Sequence, residues 1–153
     1  MKALLLRVGK GRAPWADAAA HEYSRRLRRL ELTEQLLDPA PFRGDVEAVR
    51  ADEARRILAA LRPGDRLFCL DERGAALRTE DLATRVDAAA RDGQRRVVFA
   101  IGGPYGHGPA VRDAAHTVLA LSAMVLNHEL ARVVLVEQLY RVETLLWGGS
   151  YHH

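Results

Sequence analysis

Two hydrophobic periods alternate along the chain. Short, nearly continuous apolar runs at residues 2–8, 32–37, 66–70, 97–101 and 118–121 predict strands. The run Val97-Val98-Phe99-Ala100-Ile101 has no polar face at all, as a central strand covered on both sides requires. Between the strands the spacing lengthens. Pro14 suits a first helical position, and Trp15, Ala19, Tyr23, Leu27 and Leu30 form an apolar stripe at helical spacing. Residues 46–61, 79–91, 109–115 and 128–147 predict further helices, with Pro63-Gly64 stopping the first of these and Thr79 capping the second. Gly9-Lys10-Gly11-Arg12 predicts a turn, residues 39–45 a breaker-rich loop, and residues 71–74 another turn. Strands alternating with helices predict an α/β protein: a three-layer sandwich around a largely parallel sheet, one domain over residues 1–153.

Composition narrows the class. The chain has 153 residues, 48% hydrophobic and 28% charged, which is the balance of a soluble globular protein with a core of its own. No apolar run approaches the roughly 20 residues that span a bilayer. The first apolar run is too short for a signal sequence and is broken by Arg7. A single cysteine, Cys69, allows no internal disulfide and fits a reducing, cytoplasmic setting; it sits in a strand and reads as core. The net charge of +3 suits a polyanionic partner, although arginine bias also follows from genomic base composition. Lys10, Arg12, Arg25, Arg26, Arg28 and Arg29 concentrate positive charge in the first 30 residues.

The candidate chemistry begins where the central strand ends, at Gly102-Gly103-Pro104-Tyr105-Gly106-His107-Gly108. Ligands of open α/β sheets sit beyond the carboxyl ends of the strands, and glycines there let a ligand touch the main chain. The competing reading is a tight turn with no ligand. A phosphate-binding P-loop would close on Lys-Ser/Thr, which Gly108-Pro109-Ala110 lacks. A dinucleotide fingerprint fails at Val111, where its third glycine should stand, and the next strand ends in Leu121-Ser122 with no ribose-binding acid. A ligand held by main-chain groups and apolar walls fits better. The histidines show no metal-ligand spacing.

Five blocks in order carry a resemblance: Ile101-Gly102-Gly103-Pro104-Tyr105-Gly106, Leu121-Ser122-Ala123-Met124, His128-Glu129-Leu130-Ala131-Arg132-Val133, Glu137-Gln138-Leu139-Tyr140-Arg141 and Tyr151-His152-His153. The chain resembles the small SPOUT-class, or α/β-knot, methyltransferases that methylate N3 of a pseudouridine in large-subunit ribosomal RNA. The resemblance spans nearly the whole chain. It implies a C-terminal trefoil knot, S-adenosyl-L-methionine as cofactor, the assembled ribosome and its large-subunit rRNA as substrate, a homodimer, and no membrane or metal. It further implies cofactor contacts at Leu70, Gly102, Gly103, Ser122, Ala123, Met124, Val125, Leu126 and Asn127, and a catalytic set of His128, Arg132, Glu137, Tyr140, Arg141, Tyr151 and His152. Within that set His152 is the first candidate for the base that deprotonates N3. Arg141 or Arg132 would stabilise the resulting anion, and Tyr151 or Arg141 would position the nucleobase. Arg25, Arg26, Arg29 and Arg43 are the candidates for gripping RNA phosphates.

Each of these residues also has a plainer reading. His128 and Arg132 can be a polar helix start and a solvated arginine, Glu137 and Arg141 an ordinary i,i+4 pair, and residues 151–153 a frayed tail. Ser150 stands where the family usually has proline before the terminal tyrosine, and Val125 where threonine is frequent. Two other function classes are compatible with the pattern: a nicotinamide oxidoreductase with an atypical glycine loop, and an RNA-binding module without catalysis. The missing ribose-binding acid weighs against the first, the intact glycine loop and 122–127 segment against the second.

Overall fold

A computed structural model describes residues 1–9, 13–91 and 96–151. Strands β1 (Lys2–Val8), β2 (Glu31–Leu37), β3 (Arg66–Ala76), β4 (Val97–Ile101) and β5 (Thr117–Ala120) form one sheet in the order β2-β1-β4-β3-β5. Every neighbouring pair is parallel. The helices are α1 (Pro14–Ser24), α2 (Val46–Ala59), α3 (Thr79–Arg91), α4 (Pro109–Ala114) and α5 (His128–Trp147). The predicted α/β order is therefore observed, and β4 is the central strand.

Alternation along the strands sorts the core into two layers. Val97, Phe99 and Ile101 join Leu5 and Phe68 beneath α1, α3 and α5, where Val86, Leu135 and Leu139 are wholly buried. Val98 and Ala100 point the other way, to Leu6, Leu67, Cys69, Ile57 of α2 and Val111 of α4. The Phe68 and Phe99 rings meet at 5.1 Å. Each such large side chain stabilises by about 1.5–3 kcal/mol, so the sheet holds the helices on both faces through dispersion and water exclusion. Cys69 is wholly buried and its thiol is pushed up to about 12 by burial, so it is an inert core residue.

Three local expectations change. The stripe through Trp15 and Leu30 is not one helical face. The helix α1 ends at Ser24, Trp15 is 53% exposed, and the buried positions are Ala16 and Ala20. Past the helix end, the backbone N–H groups of Arg28, Arg29 and Leu30 donate instead to the Glu143 carboxylate of α5, at 2.7, 3.0 and 2.8 Å. Long-range acceptors thus replace the helical ones. Strand β3 does not stop at Leu70: both Leu70 and Ala75 lie opposite Leu119, so residues 71–74 are an excursion in a strand that resumes. Gly74 makes this possible, because a Cβ there would lie 2.6 Å from the Val118 backbone. Thr79 is the first residue of α3 rather than the residue before it: Leu82 N–H donates to Arg78 O at 3.0 Å, and the Thr79 hydroxyl donates to Gln138 of α5 at 2.7 Å. Asp45 and Asn127, by contrast, do cap α2 and α5 through their side-chain oxygens. Among the described residues, no helix is long and apolar enough to cross a membrane.

Glu143 is a buried carboxylate whose removal would orphan three donors. Glu143→Leu is expected to lower stability by about 2–4 kcal/mol in urea unfolding. A loss below about 1 kcal/mol, the net worth of a single neutral hydrogen bond, would show that residues 25–30 are held by other contacts.

Candidate active site

Beyond the carboxyl ends of β3, β4 and β5 opens a cleft of about 360 Å³, within the range of small-molecule sites. Its apolar wall comes from Leu70, Ile101, Leu119, Leu121 and Leu126. Opposite stand the main chain of residues 102–107 and the excursion of β3, Asp71, Glu72 and Arg73. The glycine segment closes a turn in which Gly106 N–H donates to Gly103 O at 2.9 Å, with Gly106 at φ +72°. Arg50 Nε, from α2, donates to Tyr105 O at 2.7 Å and pins the tip of that turn.

Gly102 and Gly103 line the cleft, and they are also crowded from within the protein. A Cβ on Gly102 would lie 3.1 Å from Gly106 C, and one on Gly103 3.0 Å from Glu53 Oε2 and 3.3 Å from Val8. On the side where a Cβ would point, the loop folds over on its own chain and rests on Glu53. Gly103→Val would therefore push on that support rather than fill the cleft. Glu53 is 3% exposed; its Oε1 accepts from Ala40 N–H at 3.1 Å, while Oε2 has no hydrogen-bond partner. Burial holds its carboxyl above the usual range. His107, also in the loop, is buried, bonds Ala100 O through Nε2 at 3.1 Å and is kept neutral by burial.

Of the residues expected to contact a cofactor, Leu70, Gly102, Gly103, Ser122, Met124, Val125 and Leu126 line the cleft. Ala123 and Asn127 do not. The Asn127 side chain accepts from Glu129 N–H and Leu130 N–H at 3.0 and 2.9 Å, which commits it to the start of α5. Sequence reasoning missed Arg50, Tyr105 and the acidic excursion Asp71-Glu72 at the rim. Only Tyr105 carried a signal, through its place in the glycine segment; the others arrive from distant elements.

The expected catalytic residues divide into two groups. His128 lines the cleft at the first turn of α5. Arg132, one turn on, is 8% exposed and reaches Asp17 at 2.5 Å, Glu34 at 3.0 Å and Glu129 at 3.7 Å. Arg7 joins the same web, 3.1 Å from Glu34 and 3.4 Å from Glu129. Burial opposes the charge on Arg132, but its pairs with Asp17 and Glu34 outweigh that and raise its pKa. Its charge is spent on three carboxylates, which ties α1, β2 and α5 together.

The second group is aromatic. Glu137 and Arg141 pair at 2.6 Å, and the Arg141 guanidinium lies 4.8 Å from the centroid of Tyr151. Tyr140 and Tyr151 stand 4.7 Å apart, with Tyr23 of α1 6.4 and 6.3 Å from them. Gly148, at φ +87°, turns the chain back along α5, and Thr144 Oγ1 donates to Tyr151 O at 3.2 Å. Its hydrogen bond to Tyr23 is the main reason that the Tyr151 phenol is raised, so it stays protonated as a donor. His152 lies outside the described residues. Arg25 and Arg26 both pair with Glu22, and Arg26 also stacks over Tyr23 and Tyr140. Arg29 and Arg43 are exposed.

Along the helix the cleft-facing residues part from the aromatic cluster, with Arg132 already turned from the cleft to Asp17 of α1. Ala131 and Tyr140 are nine residues apart, which at 3.6 residues per turn is about half a turn off as well as roughly 13 Å along the axis. Ala131 and His128 face the cleft, whereas Tyr140 faces α1. Among the described residues, no group of three or more His, Cys, Asp or Glu side chains stands close enough to hold a metal.

A family model described as predicted SPOUT methyltransferase matches residues 1–152. The chain belongs to the SPOUT methyltransferases. Relatives named ribosomal RNA large subunit methyltransferase H support the assignment along the full length. That of Solidesulfovibrio magneticus is 42% identical, covering 97% of each chain. That of Desulfovibrio desulfuricans is 44% identical over 95% of this chain and 94% of its own, and that of Geobacter sp. strain M21 is 38% identical over 100% and 99%. Apart from Arg50 and residues 70–73, the cleft of this SPOUT methyltransferase is lined by the same C-terminal part of the chain that carries the sequence blocks.

The Glu53 carboxyl beneath the glycine turn gives a pH test. Folding raises its pKa above the ordinary 4.5, so the folded state holds the proton more tightly. Its favourable contribution is complete below the ordinary value and is lost as pH rises through the raised one. Glu53→Gln is expected to gain stability relative to the wild type between about pH 4 and pH 7 in urea unfolding. An offset that does not change with pH would show that the carboxyl titrates normally.

Proposed function

We propose that this protein is a homodimeric S-adenosyl-L-methionine-dependent methyltransferase that modifies N3 of a pseudouridine in large-subunit ribosomal RNA, within the assembled ribosome in the cytoplasm. The observation that carries this reading is the near-full-length likeness to relatives named ribosomal RNA large subunit methyltransferase H, joined to a cleft lined by residues of the first three of the five sequence blocks. The reading includes a single domain with a C-terminal trefoil knot.

The residues present fit the cofactor. Adenine is flat and neutral, and the cleft offers main-chain donors and acceptors from residues 102–107 between the aliphatic side chains of Ile101, Leu119, Leu121 and Leu126. Bound there, S-adenosylmethionine supplies an electrophilic methyl group on a sulfonium. The chain's own task is to place N3 in line with that methyl and to manage one proton. The guanidinium of Arg141 is the better candidate for the anion formed at N3. Among the described residues it is paired with Glu137 alone and remains 26% exposed, whereas Arg132 is enclosed by three carboxylates. Protonated Tyr151 can donate to a carbonyl of the base and orient it. His152 keeps its role as proposed base.

A second copy of the chain resolves the separation of the two groups. The aromatic cluster faces away from its own cleft, so it would serve the cleft of a partner. Exposed Met124, Val125 and Leu130 beside the cleft offer apolar surface for that pairing.

Mass spectrometry of large-subunit RNA, after incubation with labelled cofactor, tests the reading. Ribosomes lacking the modification are expected to be methylated and naked transcript hardly at all. Deleting residues 151–153 should slow the reaction by about 100-fold or more, the scale of acid–base contributions. Calorimetry should show unchanged cofactor affinity for that deletion, and no tighter binding of ATP. Equal labelling of free RNA, or a full rate without the tail, would overturn the corresponding part.

A further inference from the structure

At the mouth of the cleft two aromatic rings stand in solvent. Phe42 is 55% exposed and Tyr105 38% exposed, yet their rings stack, with centroids 5.6 Å apart and planes 28° from parallel. They come from different parts of the chain, Phe42 from the loop between β2 and α2 and Tyr105 from the tip of the glycine turn. Neither belongs to a core cluster. Tyr105 is held in place by the bond from Arg50 to its carbonyl, and Arg50 is itself paired with Glu47 at 2.6 Å. Arg43, next to Phe42, is exposed and makes no ion pair among the described residues.

We propose that Phe42 and Tyr105 form a stacking platform for an unpaired nucleobase of the RNA that lies beside the target nucleotide, with Arg43 on the adjoining phosphate. The inference rests on the reading of the substrate as RNA and names how one part of it is held. Three features select a nucleobase as the occupant. The platform presents an aromatic face of a base's own size, it has the Arg50 guanidinium against Tyr105 and an exposed arginine, Arg43, next to Phe42 in the chain, and Tyr105 is itself a wall of the cleft that the target base must enter. Single-stranded RNA is recognised through this pairing of aromatic faces with positive charge, because every base has a π-face and every linkage a phosphate. A neighbouring base stacked here would offset part of the cost of drawing the target base out of its own stack.

The test compares Phe42→Leu, Phe42→Trp and Arg43→Ala with the wild type. Steady-state kinetics would use ribosomes lacking the modification, with cofactor affinity measured by calorimetry and folding by thermal melts. Phe42→Leu is expected to raise KM for ribosomes by about tenfold, the scale of losing one stacked base. Phe42→Trp should restore it, and cofactor affinity and melting temperature should not move. Arg43→Ala should raise KM and flatten its salt dependence. An unchanged KM in Phe42→Leu overturns the inference, as does a parallel loss of cofactor affinity, which would make the ring a cofactor wall, or failure of Trp to restore what Leu loses. If the wild type itself leaves ribosomal RNA unmethylated, the functional reading falls and this inference with it; if the wild type is active and the variants match it, this inference alone falls.

Discussion

A straight helix cannot turn two faces toward one cleft, and this constraint on α5 governs the rest of the molecule. Its first turn, with His128 and Ala131, borders the cleft. Its later turns carry Glu137, Tyr140 and Arg141 against α1 and the returning tail. From His128 to Arg141 the rise is about 20 Å, and the two groups look in different directions. The inner face is committed to the sheet through Leu135, Val136, Leu139 and Val142, all wholly buried, so rotation of the helix would cost the core of that layer. Residues that the family's blocks place in one catalytic set are thereby held apart within one chain.

Charge reinforces the same placement. Arg132 and Arg7 share the carboxylates of Glu34 and Glu129, with Asp17 added from α1. Removing Glu129 would leave the largely enclosed Arg132 and Arg7 short of a partner, which is costlier than never having the web. Glu143 holds residues 28–30 at the other end of the helix. Between these two anchors lie Arg141 and the tyrosines, with their polar ends partly open. The division of labour among the arginines follows from that geometry: enclosed ones fasten the helix, and the more open one is available for a substrate.

The sheet and its helices were legible in the sequence because a strand buried on both faces, such as Val97 to Ile101, leaves a continuous apolar run that a helix face does not. The failures are of one kind. Where a distant group replaces a local bond, local periodicity misleads. The apolar stripe reads on to Leu30 as helix until Glu143 takes the amides of residues 28–30, and residues 71–74 read as a closing turn until β5 resumes the pairing. The glycine segment was legible as a place of close approach, but its support by Glu53 was not, since Glu53 lies far away in the chain. The site blocks could be read off in order along α5, and the four-residue spacings already put His128 and Arg132 roughly opposite Glu137 and Arg141; only the packing of Tyr23 and Tyr151 beside the second pair had to come from the structure.

The central claim is that a complete site takes its cleft from one chain and its aromatic cluster from another. Two inactive variants test it directly: Leu121→Trp, which fills the cleft, and a chain lacking residues 151–153. Each must first be shown to fold, and the first to have lost cofactor binding. Mixed in equal amounts and allowed to exchange subunits, half of the dimers are hybrids with one intact composite site of two. The account predicts recovery of about a quarter of wild-type methylation of ribosomes. A mixture as inactive as its components, with subunit exchange verified, would contradict it and place the whole site within a single chain.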